Sequence, residues 1–176
     1  SMNYCGKCLI ARPKLDTDIF KNSVVFLYEH TWDSVSGLIL NKKSQYTTQS
    51  LFEHKNRQLP IKPEPVYQGG PVNTKAVLLL HSNDWRSTNT MMINKDISVS
   101  SDNLMMQKFE NFDIPVLYRF FGGGATWHQL QLEEEIRQGY WLVSELSTAQ
   151  MFETDGLTQW DLAIEAAAKK AVDNFF

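Results

Sequence analysis

Apolar residues fall in short β-branched and aromatic runs separated by polar or Gly/Pro-rich stretches, a pattern that predicts more strands than helices. Leu9-Ile10-Ala11 is a first strand, ended by Arg12-Pro13. Val24-Val25-Phe26-Leu27-Tyr28 and Gly37-Leu38-Ile39-Leu40 read as strands buried on both faces, and the polar residues Thr31 to Ser36 between them suit a hairpin. The chain then turns polar. Gln45 to Gln58 leaves room for one short helix around Leu51-Phe52, and Pro60, Pro63 and Pro65 forbid regular structure until Val66.

Two further strands flank the break Gly69-Gly70-Pro71, where glycine permits a sharp bend and proline fixes the next residue. Met91 to Val99 forms another pair around an Asn94-Lys95-Asp96 turn, and Ser101 is placed to cap a helix through Leu104, Met105, Lys108 and Phe109. Pro115 to Phe121 reads as a strand ending at Gly122-Gly123-Gly124. A helix over Leu132 to Arg137 carries Glu133-Glu134-Glu135 near its N-terminus, where the dipole favours them; Gly139 stops it, and Trp141-Leu142-Val143 resumes as strand. The clearest helix is C-terminal and amphipathic. Trp160, Ile164, Ala168, Ala171 and Phe175 form its apolar stripe, Glu165, Lys169 and Asp173 face away, and Thr158 with Asp161 resembles a capping box. Strands outnumber helices and the helices fall irregularly between them, which predicts an α+β fold in one domain over residues 2–176; Ser1 before Met2 reads as an expression scar.

Composition narrows the partners. The 176 residues suffice for a core without disulfide or metal staples, and a formal charge of −3 supplies no field for phosphate backbones, so general nucleic-acid binding is not expected. No apolar run approaches the roughly 18 residues of a membrane span. A cytoplasmic protein without membrane contact is the expectation.

Candidate chemistry is sparse. Cys5-Gly6-Lys7-Cys8 has redox or half-zinc spacing, but it precedes the first strand, and His30, His54, His81 and His128 are scattered singly. The simpler reading makes Cys8 a core residue and leaves the metal and cofactor sites empty of candidates. His30 and Asn41 end their strands about five residues apart in the hairpin, roughly 15 Å, and cannot share a reacting atom. Ser23 has no G-x-S-x-G elbow around it. Gly122-Gly123-Gly124 lacks the spacing of a nucleotide loop, leaving a tight turn beside Trp127.

The motifs Leu9-Ile10-Ala11-x-Pro13, Phe20-x-x-Ser23-Val24-Val25, Glu29-His30, Gly37-Leu38-Ile39-Leu40-Asn41, Gly69-Gly70-Pro71-Val72, Val77-x-x-Leu80-His81, and Trp127 with Gln131-Leu132-Glu133-x-Glu135-Ile136 and Gly139-x-Trp141-Leu142 occur in an order that resembles the bacterial AlgH/YqgE family. The resemblance implies a bent, partly barrel-like mixed sheet surrounded by helices, in a cytoplasmic bacterial protein. Some members of that family carry a transcriptional-regulator label. The chain departs from the family's Gly-Tyr-Ala-Gly-Trp-Gly-Pro-Gly-like stretch, having Gly123-Gly124-Ala125-Thr126-Trp127-His128-Gln129-Leu130 there.

These residues favour a non-enzymatic binding or regulatory module over a reaction. Gly69, Gly70 and Pro71 with Gly123 and Trp127 are expected to frame a cleft, with His81 nearby, for a protein partner or small molecule. A hydrolase or transferase using His81 or His30 with a carboxylate is the rival. Direct DNA binding as a transcriptional regulator is the third reading; the acidic balance and the missing helix-turn-helix weigh against it.

Overall fold

The apolar runs pair into one ten-stranded sheet in a computed structural model that describes residues 2–17, 19–52 and 59–175. In chain order the strands are β1 (Cys8–Ala11), β2 (Val24–His30), β3 (Ser34–Ile39), β4 (Lys43–Thr47), β5 (Pro65–Gln68), β6 (Val72–Ser82), β7 (Thr90–Met92), β8 (Ile97–Ser100), β9 (Tyr118–His128) and β10 (Trp141–Ser144). The helices are α1 (Asn103–Glu110), α2 (Gln129–Arg137), α3 (Thr148–Phe152) and α4 (Gly156–Phe175). The sheet runs β10-β1-β2-β3-β9-β6-β8-β7, with β5 seated between β4 and β9. Among the described residues only the β5–β9 pairing is parallel, and the sheet curls into a half-barrel.

Alternation sorts the side chains onto two covered faces. Cys8, Ile10, Val24, Phe26, Leu38, Leu80 and Phe121 share one face with Met151 of α3 and Ala163 of α4. On the other, Leu9, Ala11, Val25, Leu27 and Trp127 meet Leu132 of α2. Val66, Leu79 and Phe120 extend that second side of the sheet under α1, where Met105 and Phe109 cover them. Double coverage explains why β1 and β2 read as continuous apolar runs.

The glycines determine how β5 and β6 pass β9. Gly69 N–H donates to the Gly122 carbonyl at 2.9 Å, and Ile39 N–H donates to the Gly69 carbonyl at 2.8 Å, so one residue ties β3 to β9. A Cβ on Gly69 would overlap the Gly123 carbonyl. One on Gly70 would overlap the Gly124 carbonyl and come within 2.6 Å of the Ala125 nitrogen. Backbone lies directly on backbone, which only glycine allows.

Several expectations need correction. The triple glycine is the middle of the eleven-residue strand β9, not a turn after it; its lack of side chains admits the Gly69-Gly70 backbone. β4 was expected as polar chain because, pairing only with β5, it carries exposed residues and no apolar signal; the short helix nearby is a 3-10 turn, Thr48–Leu51. Residues 53–58, including His54, lie outside the described residues. Asp102, not Ser101, caps α1 by accepting from Met105 N–H at 2.8 Å. His128 caps α2 at Gln129, which moves Glu133 to Glu135 into the helix middle. α4 begins at Gly156, so Thr158 and Asp161 lie inside it; Gln159, Trp160, Ala163, Ile164 and Ala167 are its inward face, and everything from Ala168 to Phe175 is exposed.

Gly70→Ala is expected to lower stability by about 3 kcal/mol, because backbone must move to admit the methyl. Gly156→Ala, at φ +60 with open space around the added Cβ, is expected to lose only about 1 kcal/mol of left-handed strain. Urea melts of the two variants check this, and equal losses would show that the crossing tolerates a side chain.

Candidate functional site

Where the glycine backbones cross, no side chains fill the surface, and a depression of about 370 Å³ remains. Gly122 and Gly70 are in its floor. Ser44 and Tyr46 of β4, Tyr67 and Gln68 of β5, Pro71, Thr74 and Ile19 line its walls. None of these side chains is charged. Ser44 Oγ donates to the Val66 carbonyl at 2.6 Å and holds the β4 wall against β5.

Tyr67, in the wall of the depression, belongs to a polar cluster whose inner members Tyr67 and Arg119 are buried and whose outer members Lys43 and Asp155 are partly exposed. Tyr67 Oη donates to Asp155 Oδ2 at 2.8 Å, Lys43 Nζ stands 3.3 Å from the same oxygen, and the Arg119 guanidinium lies 4.5 Å from the Tyr67 ring centre. Burial, with the hydrogen bond to Asp155, pushes the Tyr67 phenol well above its ordinary value despite the cation beside it, so it remains a neutral donor. Arg119 itself is buried in β9. Its Nη1 donates to the Leu40 carbonyl at 2.9 Å and to Gln159 Oε1 at 3.1 Å, while Nη2 donates to the carbonyls of Phe152 at 3.2 Å and Thr154 at 2.6 Å. Burial pulls its pKa down, and Tyr67 and Asp155 oppose that. Sequence reasoning passed over Arg119; the available signal was one arginine inside the apolar run Tyr118 to Phe121.

The two glycine breaks meet in space. Gly70, Pro71 and Gly122 border the depression, while Gly69 and Gly123 are consumed by the crossing. Trp127 does not line this depression. It is 4% exposed, packed 5.5 Å from Phe20 and 5.9 Å from Trp141 in the cluster that also holds Leu132 of α2.

His81 is fully buried. Its Nδ1 is 2.9 Å from the Ser82 carbonyl and its Nε2 is 2.7 Å from Ser100 Oγ, so the neutral ring donates through Nδ1 and accepts the Ser100 hydroxyl proton. Ser100 Oγ is in turn 2.7 Å from Thr90 Oγ1, and Trp85 packs edge-on against the imidazole at 4.9 Å. A serine does stand beside His81, through the β6–β8 register that the sequence could not supply. Both residues are sealed from solvent, and the imidazole leans on a main-chain carbonyl rather than a carboxylate. The contact fastens strands. His30 accepts from Tyr4 N–H at 3.1 Å and borders a shallow depression with Met2, Asn3 and Trp32; its ring packs on Tyr4 at 5.4 Å. Asn41 closes its strand end, accepting from Val24 N–H at 3.0 Å and donating to the Asn22 and Gly156 carbonyls at 2.9 Å each.

Both cysteines are free thiols. Cys8 lies in the core, and burial pushes its thiol up to about 12. Among the described residues no three His, Cys, Asp or Glu side chains converge to hold a metal. Glu135 is not simply solvated, since its Oε1 accepts from Trp141 Nε1 at 3.0 Å.

A curled half-barrel, closed on one side by a C-terminal helix and creased by a glycine crossing, is the class of architecture these contacts define. Residues 8–171 match the AlgH-like family, and the chain belongs to it. A UPF0301 protein of Marinomonas sp. (strain MWYL1) is 32% identical over 158 residues, covering 88% of this chain and 84% of that one. A UPF0301 protein of Parabacteroides distasonis is also 32% identical, over 164 residues, covering 91% and 81%. The solution structure of the AlgH protein from Pseudomonas aeruginosa superposes with a TM-score of 0.77 at 26% identity, covering 95% of this chain and 89% of that one. Protein DIP2367 from Corynebacterium diphtheriae shares the fold, with a TM-score of 0.73 at 23% identity over 91% and 85% of the two chains.

Two outcomes are expected. Trp127→Ala loses about 3 to 5 kcal/mol in a denaturant melt, as for a large aromatic removed from a packed interior. Desolvation holds His81 below the ordinary histidine value, so the unfolded chain takes up its proton first as pH falls. Stability is therefore complete above about pH 6.5 and declines below it by up to about 1.4 kcal/mol per pH unit until the folded-state value is passed. Urea melts between pH 7.5 and 5 follow this, and His81→Gln should flatten the dependence.

Proposed function

We propose that this AlgH-like protein is a cytoplasmic, non-enzymatic binding or regulatory module, one domain over residues 2–176, whose working surface is the depression at the glycine crossing. The observation that carries this reading is a concavity of about 370 Å³ lined by uncharged polar, aromatic and glycine residues. That lining suits shape recognition of a protein segment or a neutral small molecule better than proton transfer. The rival hydrolase or transferase finds little support, because His81 and Ser100 are both buried and His30 accepts only a main-chain proton among the described residues. No described helix is long and apolar enough to cross a membrane. The cleft proposed here has Gly70, Pro71, Gly122, Tyr46 and Thr74 as its contact residues, with Gly69 and Gly123 as the crossing that shapes it.

Affinity isolation of the native chain from its own cells, with proteins and metabolites identified by mass spectrometry, tests the reading. Thr74 is exposed on the rim, so Thr74→Trp should fill the depression without unfolding the chain. Recovery of a specific partner or metabolite is expected to drop about tenfold or more with the variant. Equal recovery by both proteins would exclude this depression as the binding surface.

A further inference from the structure

The hairpin between β2 and β3 turns on Thr31, Trp32, Asp33 and Ser34, and hydrogen bonds hold its tip in place. Thr31 N–H donates to the Ser34 carbonyl at 2.9 Å, Ser34 N–H donates to Thr31 Oγ1 at 3.2 Å, and Gln129 N–H at the start of α2 donates to the Asp33 carbonyl at 2.9 Å. Trp32 itself is 89% exposed and makes no ring or hydrogen-bond contact among the described residues. Tight hairpin turns favour Asn, Asp and Gly, so neither the turn nor the core calls for an indole at this position. A large aromatic carried on a fixed loop is the residue type that anchors protein interfaces, since it brings contact area with little side-chain entropy to lose.

Trp32 borders a shallow depression of about 450 Å³ with Met2, Asn3, His30, Thr31 and Gln129, and Met2 and Leu130 are exposed as well. The charge around it has one sign. Asp33 Oδ1 accepts from Thr31 Oγ1 at 3.1 Å and Glu133 Oε1 accepts from Gln129 Nε2 at 3.2 Å, both donors being lining residues. Burial first, and the charge of Glu133 after it, push the Tyr4 phenol up; burial and Glu29 do the same to the Cys5 thiol. Tyr4 packs on His30 and Cys5 N–H donates to Asn3 Oδ1, so all three carboxylates act at the floor of the depression. None of the three is in an ion pair with a lysine or arginine among the described residues. The two imidazoles here add no cation. His30 Nδ1 accepts from Tyr4 N–H and His128 Nδ1 accepts from Leu130 N–H, which requires a ring nitrogen without a proton.

That balance decides the occupant. Exposed indole and methionine side chains also suit a lipid headgroup layer, but uncompensated carboxylates repel anionic lipids and phosphate backbones alike. A small cation would leave the indole wet on so open a surface, whereas ligand pockets enclose most of their ligand. A guanidinium stacks flat on an indole and offers its fork to a carboxylate in the same planar group. We propose that the tip of the β2–β3 hairpin docks an arginine-bearing basic segment of a partner protein. Its arginine stacks on Trp32 and pairs with Asp33, Glu133 and Glu29 attract its neighbouring basic residues, and Met2 and Leu130 receive an apolar one. No residue of this patch lines the depression at the glycine crossing, so the two surfaces are tested separately.

Panning a display library of random short peptides against the whole chain supplies the probes, and fluorescence anisotropy of the enriched synthetic peptides measures their affinity. Enriched peptides are expected to carry excess arginine, and replacing that arginine by citrulline, which keeps the shape and removes the charge, should weaken binding about tenfold or more. Trp32→Ala should weaken it by about the same factor, and Asp33→Asn and Glu133→Gln by about threefold or more each, with Thr74→Trp binding normally. Urea melts of Trp32→Ala and wild type are expected to coincide; a clearly lower midpoint would show that the fold uses the indole and would overturn the proposal. Failure to enrich any peptide over an unrelated protein would overturn it too, as would enriched peptides without excess arginine or with equal affinity for Trp32→Ala. Mixed phosphatidylcholine and phosphatidylserine vesicles that sediment wild type but not Trp32→Ala would assign the patch to a membrane instead. A concentration-dependent dimer that Trp32→Ala dissolves would assign it to a second copy, and either result overturns the proposal.

Discussion

The backbone crossing of Gly69-Gly70 over Gly123-Gly124 governs the rest of the molecule. It lets β5 run parallel to β9 while β6 leaves in the opposite sense, and it brings the end of β3 into the same junction through the Ile39 N–H. With side chains at those positions the strands would have to separate, and the curl that encloses the first core would open. The surface depression is the outer side of the same economy of atoms. What makes the interior dense leaves the exterior hollow.

Around this junction the polar side chains act mostly as fasteners. Asn41 links the ends of β2 and β3 to the start of α4, the His81–Ser100–Thr90 chain joins β6, β8 and β7, and Ser44 holds β4 to β5. Each of these side chains has its hydrogen-bond partners, so they specify pairing and register rather than reactivity. Residue types that invite a catalytic reading become, at zero exposure, part of the frame.

Elements whose stability comes from burial were legible in the sequence, because burial leaves a local pattern. β1, β2, β3, β8 and α1 carry apolar runs or periodicity, and the hairpin between β2 and β3 follows from its short polar link. β4 left no such trace, since its partners are main-chain atoms and its side chains meet water. The triple glycine misled for a related reason: glycine marks turns and close approaches alike, and only the distant Gly69-Gly70 identifies which applies. The site was half legible. Glycine pairs pointed to a concavity, but the packing of Trp127 against Phe20 and Trp141 and the pairing of β4 with β5 that brings in Tyr46 are long-range contacts with no local mark in the sequence.

Arg119 draws together parts of the chain that are far apart in sequence. Every group that accepts from its guanidinium lies either at the end of β3 or between Phe152 and Gln159, and Trp160 Nε1 reaches 149 residues back to donate to the Ala11 carbonyl at 2.7 Å. During synthesis the sheet strands through β9 emerge before the residues that neutralise that buried cation's demand for acceptors. An arginine enclosed without them is strongly destabilising. Closure of the half-barrel around Arg119 therefore depends on the segment from Phe152 to Gln159, which follows every strand of the sheet in chain order, and the two can be completed only together.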